Sequence, residues 1–519
     1  MNEFTNEPLA ELRRESVRAA LREGLAGLDA RLPLQVPVIV AGARRTGGAL
    51  RSDDPADPER TVAVAAQATE ADVDAAVAAA AGARPEWGER PARERAEILG
   101  AAAQLMRERR AELTALIVRE AGKPWVDADA EVCEAIDFIE YYRRLAVRLD
   151  EPPALIQPPG ERNELRYVPR GVAAVIAPWN FPVSISTGMV TAGLASGNGV
   201  VYKPAEQTPG CALAITEVLH EAGVPPAALS LLPGGDGPGI ALVAHPGVHT
   251  VAFTGSCAAG LAITKSAAEL APGQRHLKRV VAEMGGKNCV IVDSDADLDE
   301  VVPAVCRSAF GFAGQKCSAA ARLLVHEAVA DALAERLAGA VESLLTGPPE
   351  RFGVDLGPLI DDESAERYDR YLVRGRSEGE LLAVGAAPDG PGRFRPPAVV
   401  AGLPPTSSIL SEEIFAPLLA FEVVPSVEAA CEAVEGLRFA LTGGLFSRNP
   451  ETVAMVERRL PVGNLYVNRG ITGAVVGRQP FGGNRLSGSG AKAGGPDYLM
   501  PFVEPRVVTE NKLRHGLVV

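Results

Sequence analysis

The strongest constraint on the fold is an alternation between residues 172 and 253. Short apolar runs, bounded by glycine or proline, take turns there with helix-length segments. The run 172–177 lies between Gly171 and Pro178 and reads as a buried strand. A helix is expected over 183–195, a strand over 199–203, a helix over 211–222, an extended pair at 231–232, a helix over 240–244 and a strand over 250–253. Strand, helix and strand joined by short links form a βαβ unit with parallel strands. Repeated, the unit predicts a doubly wound α/β domain. The same character returns downstream, with strands at 289–292 and 322–326 and helices over 301–312 and 328–345.

Upstream of residue 150 the pattern is helical. Val17, Leu21, Leu25, Leu28 and Leu32 recur at steps of four and three, one apolar stripe that ends at Pro33. This is read as a packing helix. Thr69, with Asp72 three residues on, is the expected N-cap of a second helix. Further helices are expected over 93–120 and 131–149. Residues 151–165, rich in proline, glycine and polar groups, read as a connection or exposed hairpin.

Charge and cysteine usage remove several function classes. The net charge is 52 − 66 = −14. The densest basic clusters, Arg107-Glu108-Arg109-Arg110 and Arg458-Arg459, read as solvated helix faces, so no nucleic-acid partner is expected. No run approaches 18 apolar residues, and no membrane association is expected. The opening has no apolar core of signal-peptide length. Seven scattered cysteines without a Cys-x-x-Cys pair argue against a disulfide framework or a metal site. The expectation is a reduced, cytoplasmic protein.

Three residues stand out as candidate chemistry. Cys317, in Gly314-Gln315-Lys316-Cys317-Ser318-Ala319, is flanked by small residues that let a substrate approach. Taken alone, a cysteine is more often a small buried hydrophobe; a nucleophile needs an accessible thiolate and a base. Glu283 ends an apolar run before Gly285-Gly286. It reads either as a cap or ion pair with Lys287, or as a buried general base of raised pKa. Asn180, in Ala177-Pro178-Trp179-Asn180-Phe181-Pro182, reads as a turn residue or as an oxyanion donor.

These segments, with Lys203-Pro204-Ala205-Glu206, Phe253-Thr254-Gly255-Ser256, Glu283-Met284-Gly285-Gly286-Lys287 and Glu412-Glu413-Ile414-Phe415, resemble the aldehyde dehydrogenase superfamily over nearly the whole chain. Toward the C-terminus, Ile471-Thr472-Gly473-Ala474-Val475-Val476-Gly477, Gln479-Pro480-Phe481-Gly482-Gly483 and Lys492-Ala493-Gly494-Gly495-Pro496-Asp497-Tyr498 resemble its 1-pyrroline-5-carboxylate dehydrogenase branch. That branch oxidises L-glutamate γ-semialdehyde to glutamate in proline breakdown. Met284, Asn288-Cys289 and Ala416 depart from the commonest pattern.

The resemblance implies a Rossmann-type cofactor domain, an α/β catalytic domain and a small oligomerisation hairpin. The expected division is 1–145 with 171–284 for NAD, 285–480 for catalysis, and 146–170 with 481–519 for bridging. It implies Cys317 as nucleophile, Asn180 and the Cys317 N–H as oxyanion donors, and Glu283 as the base for water. Lys203 and Glu206 would bind the adenosine ribose, with a carboxylate there favouring NAD over NADP. Ser256, Gly235 and Gly239 would lie near the pyrophosphate; the two glycines serve equally well as turn residues, since Gly235-x-x-x-Gly239 is not the dinucleotide fingerprint. Glu413 would hold the nicotinamide ribose, with Phe415 beside the ring. Ser318, Gly473 and Ala474 would anchor the substrate's carboxylate and ammonium, and Phe181 and Phe481 would flank its chain. Glu140 is given no catalytic role and is placed beside the substrate channel. Lys316 and Arg478 lie near the site loops without an assigned role. The implied partners are a second copy of the chain, as homodimer or larger assembly, and a proline dehydrogenase, here without its fused region. Other readings are a dehydrogenase of another aldehyde, a cysteine hydrolase using Cys317 and Glu283, and a non-catalytic assembly protein of the same fold.

Overall fold

The structure, a computed structural model, describes residues 3–48, 50–151 and 153–512. Met1, Asn2 and Ala49 of the expected cofactor domain, Pro152 of the expected connection and the 513–519 end of the expected bridging segment lie outside the described residues.

Two large sheets organise the chain. In the first, the parallel strands Arg279–Glu283, Thr250–Thr254, Val172–Ile176, Gly199–Lys203 and Leu229–Leu231 lie side by side in that order. Short antiparallel strands, Gly488–Ser489 at one side and Val38–Val40 with Ala43–Arg45 at the other, complete it. Val172–Ile176 and Gly199–Lys203 are buried along their whole length, as parallel strands covered by helices on both faces must be. This is the doubly wound α/β arrangement that the sequence predicts. The chain leaves Val172–Ile176 toward Gly199–Lys203, then returns to its other side with Thr250–Thr254. That reversal opens a crevice at the strands' carboxyl ends, where such folds bind ligands.

The second sheet has seven strands: Glu380–Val384, Ala398–Ala401, Leu418–Val424, Ala320–His326, Asn288–Val292, Thr442–Phe446 and Asn464–Val467. All pairs are parallel except the first. A three-stranded sheet (Leu34–Val36, Asp57–Ala65, Leu50–Asp54) and a ribbon of Glu161–Pro169 with Val503–Asn511 stand apart from these. Within 151–165, the structure shows the start of this ribbon. No helix among the described residues is long and apolar enough to cross a membrane.

The helices follow the expected periodicity, with three corrections. The helical region expected over 93–120 is two helices, Ala92–Glu108 and Arg110–Ala121, broken at Arg109. No glycine or proline marks the break. Tertiary ties hold it instead: Arg107 pairs with Glu7 and Glu140, and Arg110 with Asp129. The next helix, Trp125–Leu149, starts six residues before the expected 131, directly after Pro124. Downstream, the helix expected over 301–312 ends at Phe310, because Phe312 and Ala313 turn left-handed (φ 53° and 52°). The N-terminal stripe behaves as a packing face: Leu21, Leu25 and Leu28 of helix Glu15–Asp29 are buried against Arg110–Ala121.

Thr69 does cap the helix Glu70–Gly82. Its hydroxyl accepts from the Asp72 N–H at 3.3 Å, and the Asp72 carboxylate accepts from the Thr69 N–H at 2.8 Å. Replacing Thr69 by alanine removes one half of this reciprocal cap, so Thr69→Ala is expected to cost about 1 kcal/mol. The check is the urea midpoint, which should fall with an unchanged slope; an unchanged midpoint would show that the cap contributes nothing.

Candidate active site

The carboxyl ends of the first sheet face the amino ends of the second, and a cavity of about 1320 Å³ lies between them. From the first sheet come the segment 177–181 after Ile176, Lys203 at the end of its strand, Gly255-Ser256 after Thr254, and Glu283 at the end of Arg279–Glu283. From the second come Cys317 and Ser318, just before Ala320–His326, and Glu413 and Phe415, just before Leu418–Val424. The loop 473–476 and Phe481 close a third side. Of the residues singled out in the sequence, Asn180, Phe181, Lys203, Glu206, Gly239, Ser256, Glu283, Cys317, Ser318, Glu413, Phe415, Gly473, Ala474 and Phe481 all line this one cavity. Gly235 does not: it is the N-cap of helix Asp236–Ala244, one residue behind the lining Asp236.

Cys317 is held by its neighbours' hydrogen bonds. The buried Asn288 amide donates to the carbonyls of Cys317 (2.7 Å) and Ala319 (2.9 Å) and accepts from the Thr442 N–H (3.0 Å). Gln315 ties the loop to the segment 358–360: its Nε2 donates to the Pro358 carbonyl (3.2 Å), and its Oε1 accepts from the Ile360 N–H (2.9 Å). Asn180 Nδ2 donates to the Gln315 carbonyl at 3.0 Å, fixing the amide beside the cysteine loop. Burial, reinforced by the Glu413 and Glu283 carboxylates, pushes the Cys317 thiol up to about 12. The resting thiol is therefore protonated and needs a proton acceptor.

Glu283 is 8% exposed and accepts one hydrogen bond, from the Gly483 N–H at 3.1 Å. Burial pushes its carboxyl up to about 8, against the opposing pull of that bond and of Lys492. It makes no ion pair with Lys287, and it caps no helix. The Lys287 Nζ is itself buried with no hydrogen-bond partner among the described residues. A side chain at position 482 would meet Glu283 Oε1 at 2.6 Å and would have to displace that carboxylate.

Toward the other end, Glu413 accepts from the Gly286 N–H at 2.9 Å and is raised to about 7 by burial. Gly285 lets the carboxylate in, since a Cβ there would sit 2.0 Å from it. Phe415, left-handed at φ 58°, sets its ring edge-on to Trp179 with centroids 5.6 Å apart. Lys203 is buried, and its ammonium lies 3.6 Å from the half-exposed Glu206 carboxylate. Ser256 caps the twelve-residue helix Cys257–Ala268 by accepting from the Ala259 N–H, and Ser256 and Ala259 both line the cavity.

Some placements differ from expectation. Glu140 is not on the cavity wall; Arg107, Arg143 and Arg144 hold its carboxylate outside. Lys316 and Arg478 do line the cavity, and Lys316 is paired with Asp127 at 2.7 Å. Glu134, Trp179 and Arg367 also line it and were not picked out from the sequence. Glu134 is raised to about 7 by burial and lies one turn before the lining Phe138. Arg367 sits on a charged helix, Asp362–Glu378, and nothing local distinguishes it from its neighbours.

Residues 43–508 match the aldehyde dehydrogenase family. The 1-pyrroline-5-carboxylate dehydrogenase 2 of Bacillus subtilis (strain 168) is 41% identical over 509 residues, 98% of this chain and 99% of its own length. A solved Thermus 1-pyrroline-5-carboxylate dehydrogenase with bound NAD matches with a TM-score of 0.96 at 42% identity, covering 98% of this chain and 99% of that one. Proline utilization A (PutA) from Bdellovibrio bacteriovorus matches with a TM-score of 0.97 at 42% identity. It covers 99% of this chain and 54% of its own, so this chain spans about half its length. A cysteine, a buried carboxylate and an amide sharing one cavity, inside a full-length match of this kind, leave one assignment: the chain belongs to the aldehyde dehydrogenase family.

Proposed function

We propose that this protein oxidises L-glutamate γ-semialdehyde to L-glutamate with NAD, in proline catabolism. The observation that carries the reading is that Cys317, Glu283 and Asn180 line one cavity together with Lys203 and Glu206. The similarity to 1-pyrroline-5-carboxylate dehydrogenases supports the substrate, and the NAD-bound Thermus structure supports the cofactor.

The cavity fits a dinucleotide beside a small substrate, being larger than an ordinary small-ligand pocket. Lys203 and Glu206 would hold the adenosine ribose, Ser256 and Gly239 would lie near the pyrophosphate, and Glu413 would hold the nicotinamide ribose, with Phe415 beside the ring. Gly235 supports this wall from behind. NAD, when bound, supplies the acceptor for the aldehyde's hydride.

The chain's own groups do the rest. The Cys317 thiol gives its proton to Glu283, and the sulfur forms a bond to the aldehyde carbon. Removing the proton to a carboxylate avoids leaving a thiolate beside two anions. The resulting oxyanion accepts hydrogen bonds from the Cys317 N–H and from the Asn180 Nδ2 hydrogen not given to Gln315. Loss of hydride leaves a Cys317 thioester. Glu283 passes the thiol's proton to solvent and, ionised again, takes a proton from water as the water oxygen attacks the thioester carbon. The C–S bond breaks, the Cys317 sulfur takes that proton from Glu283, and glutamate leaves. Ser318 and the amides of Gly473 and Ala474 anchor the amino-acid end, with Phe181 and Phe481 along the chain. Gly473 takes φ 76° and has open space around it, which leaves its amide accessible.

Cofactor and catalytic domains at 1–145 with 171–284 and at 285–480 follow from this division of labour. The ribbon Glu161–Pro169/Val503–Asn511 pairs with no other strand among the described residues and carries exposed Val507. Such open edges support pairing with a second copy of the chain. A cytoplasmic location and a proline dehydrogenase as the partner enzyme complete the reading. The match to half of a proline utilization protein supports that partner.

The test is NADH formation with purified protein and a panel of aldehydes, with Cys317→Ala as control. Semialdehyde turnover well above that of simple aliphatic aldehydes, lost in the variant, is expected; preference for another aldehyde would overturn the substrate. A second prediction concerns pH. Glu283 must be ionised to take a proton from water, and its carboxyl titrates at about 8. Hydrolysis-limited turnover should therefore rise through pH 8 and fall roughly tenfold per unit well below it. Glu283→Gln should abolish that limb, and a limb that survives the substitution would remove Glu283 as the base. Third, Glu206→Gln removes the charge that repels a 2′-phosphate. Its ratio of NAD to NADP kcat/KM should drop about tenfold or more, and an unchanged ratio would place the adenosine ribose elsewhere.

A further inference from the structure

The turn that delivers Cys317 is strained. Phe312, Ala313 and Gly314 are three consecutive residues in the left-handed region, at φ 53°, 52° and 70°. Glycine is required at 314, where a Cβ would meet the Ala416 carbonyl oxygen at 2.5 Å. Phe312 and Ala313 have no such freedom. L-residues hold this conformation only where the surroundings over-determine it.

What surrounds Phe312 is a buried cation. Lys123, fully buried, places its Nζ 4.7 Å from the centre of the Phe312 ring and 3.6 Å from that of Phe181. The ammonium is ion-paired with Glu131, itself buried. The other Glu131 oxygen accepts from the N–H groups of Val183 (2.7 Å) and Ser184 (3.3 Å), at the start of the helix that follows Asn180-Phe181-Pro182. One ion pair thus touches both halves of the site. Glu131 holds the segment that carries Asn180 and Phe181, and Lys123 bridges Phe181 to the turn that carries Cys317. Lys123 does not line the cavity, whereas its partner Glu131 does.

We propose that Lys123 is a positioning residue for the reaction. Its ammonium, sandwiched between the faces of Phe181 and Phe312, sets the substrate wall and the nucleophile turn at a fixed spacing. The inference deepens the reading of Cys317 as nucleophile and Phe181 as a substrate contact, and rests on it. A buried ion pair contributes little net stability over apolar groups of the same shape, whereas a desolvated cation between two rings fixes their separation. The pair's value therefore lies in placement rather than in stability.

Two observations separate these roles. Lys123→Met leaves Glu131 buried and unpaired and should lower both the melting temperature and kcat. Lys123→Met with Glu131→Gln replaces both charges by groups of like shape and keeps an acceptor for the Val183 N–H. The double variant should recover most of the melting temperature, yet its kcat should stay roughly ten- to a hundredfold below wild type with the KM for NAD changed by less than about twofold. Recovery of kcat together with melting temperature would overturn the proposal. Should the Lys123 variants not fold, Phe312→Leu keeps an apolar side chain but removes the ring face. It should show the same loss of kcat; turnover within about twofold of wild type would contradict the proposal. A crystal structure of the double variant or of Phe312→Leu decides the matter without any substrate. Phe181 or the 312–314 turn should be displaced, and an unchanged arrangement would overturn the positioning role. If wild type oxidised no semialdehyde while the turn moved in the variant, the substrate assignment would fail and the positioning role would stand.

Discussion

A parallel sheet buried on both faces can offer chemistry only at its strand ends, and in this chain two such sheets meet end to end. The carboxyl ends of one, with a reversal of strand order between Val172–Ile176 and Thr250–Thr254, face the amino ends of the other. Everything at the site follows from that meeting. Residues that leave a strand in the first sheet, such as Lys203 and Glu283, converge with residues about to enter a strand in the second, such as Cys317 and Phe415. The Asn288 amide makes the junction exact in register on the cysteine side. It binds two carbonyls of the nucleophile loop and one N–H of the neighbouring strand's start, at a position where the pairing with Ala320–His326 shifts register.

The same meeting buries the groups it brings together, and burial sets their chemistry. Glu283, Glu413 and Cys317 are all pushed toward their neutral forms, chiefly by burial. A thiol that resists ionisation beside two carboxylates is a poor resting nucleophile and is protected from adventitious oxidation. It becomes reactive when one of those carboxylates takes its proton. The site thus stores its nucleophile in an inert form and releases it through the residue that later handles water.

Much of this was legible in the sequence because it resides in strand ends and glycine-flanked loops. The alternation over 172–253 predicts the first sheet, and Glu283, weighed in the sequence as a buried acid, is buried at the end of its strand. The break at Arg109 was not legible, since the residues that hold it, Glu7, Asp129 and Glu140, are distant in sequence and only folding brings them near. The left-handed turn at Phe312-Ala313 was equally hidden. Neither residue type favours that conformation, and the cation packed on the Phe312 ring comes from a lysine almost two hundred positions upstream. Gly235, which serves equally well as a turn residue, is the N-cap of helix Asp236–Ala244 and does not line the cavity.

The central claim is that Cys317 becomes covalently acylated and that Glu283 releases it. The most direct measurement is the mass of the peptide bearing Cys317 after a rapid acid quench of the wild-type protein in its first turnovers of glutamate γ-semialdehyde with NAD. The account predicts a glutamyl thioester on Cys317 and on none of the other six cysteines, and none with Glu283→Gln, which leaves the thiol without its proton acceptor. An unmodified Cys317 during continued NADH formation, or an adduct on another residue, would contradict it.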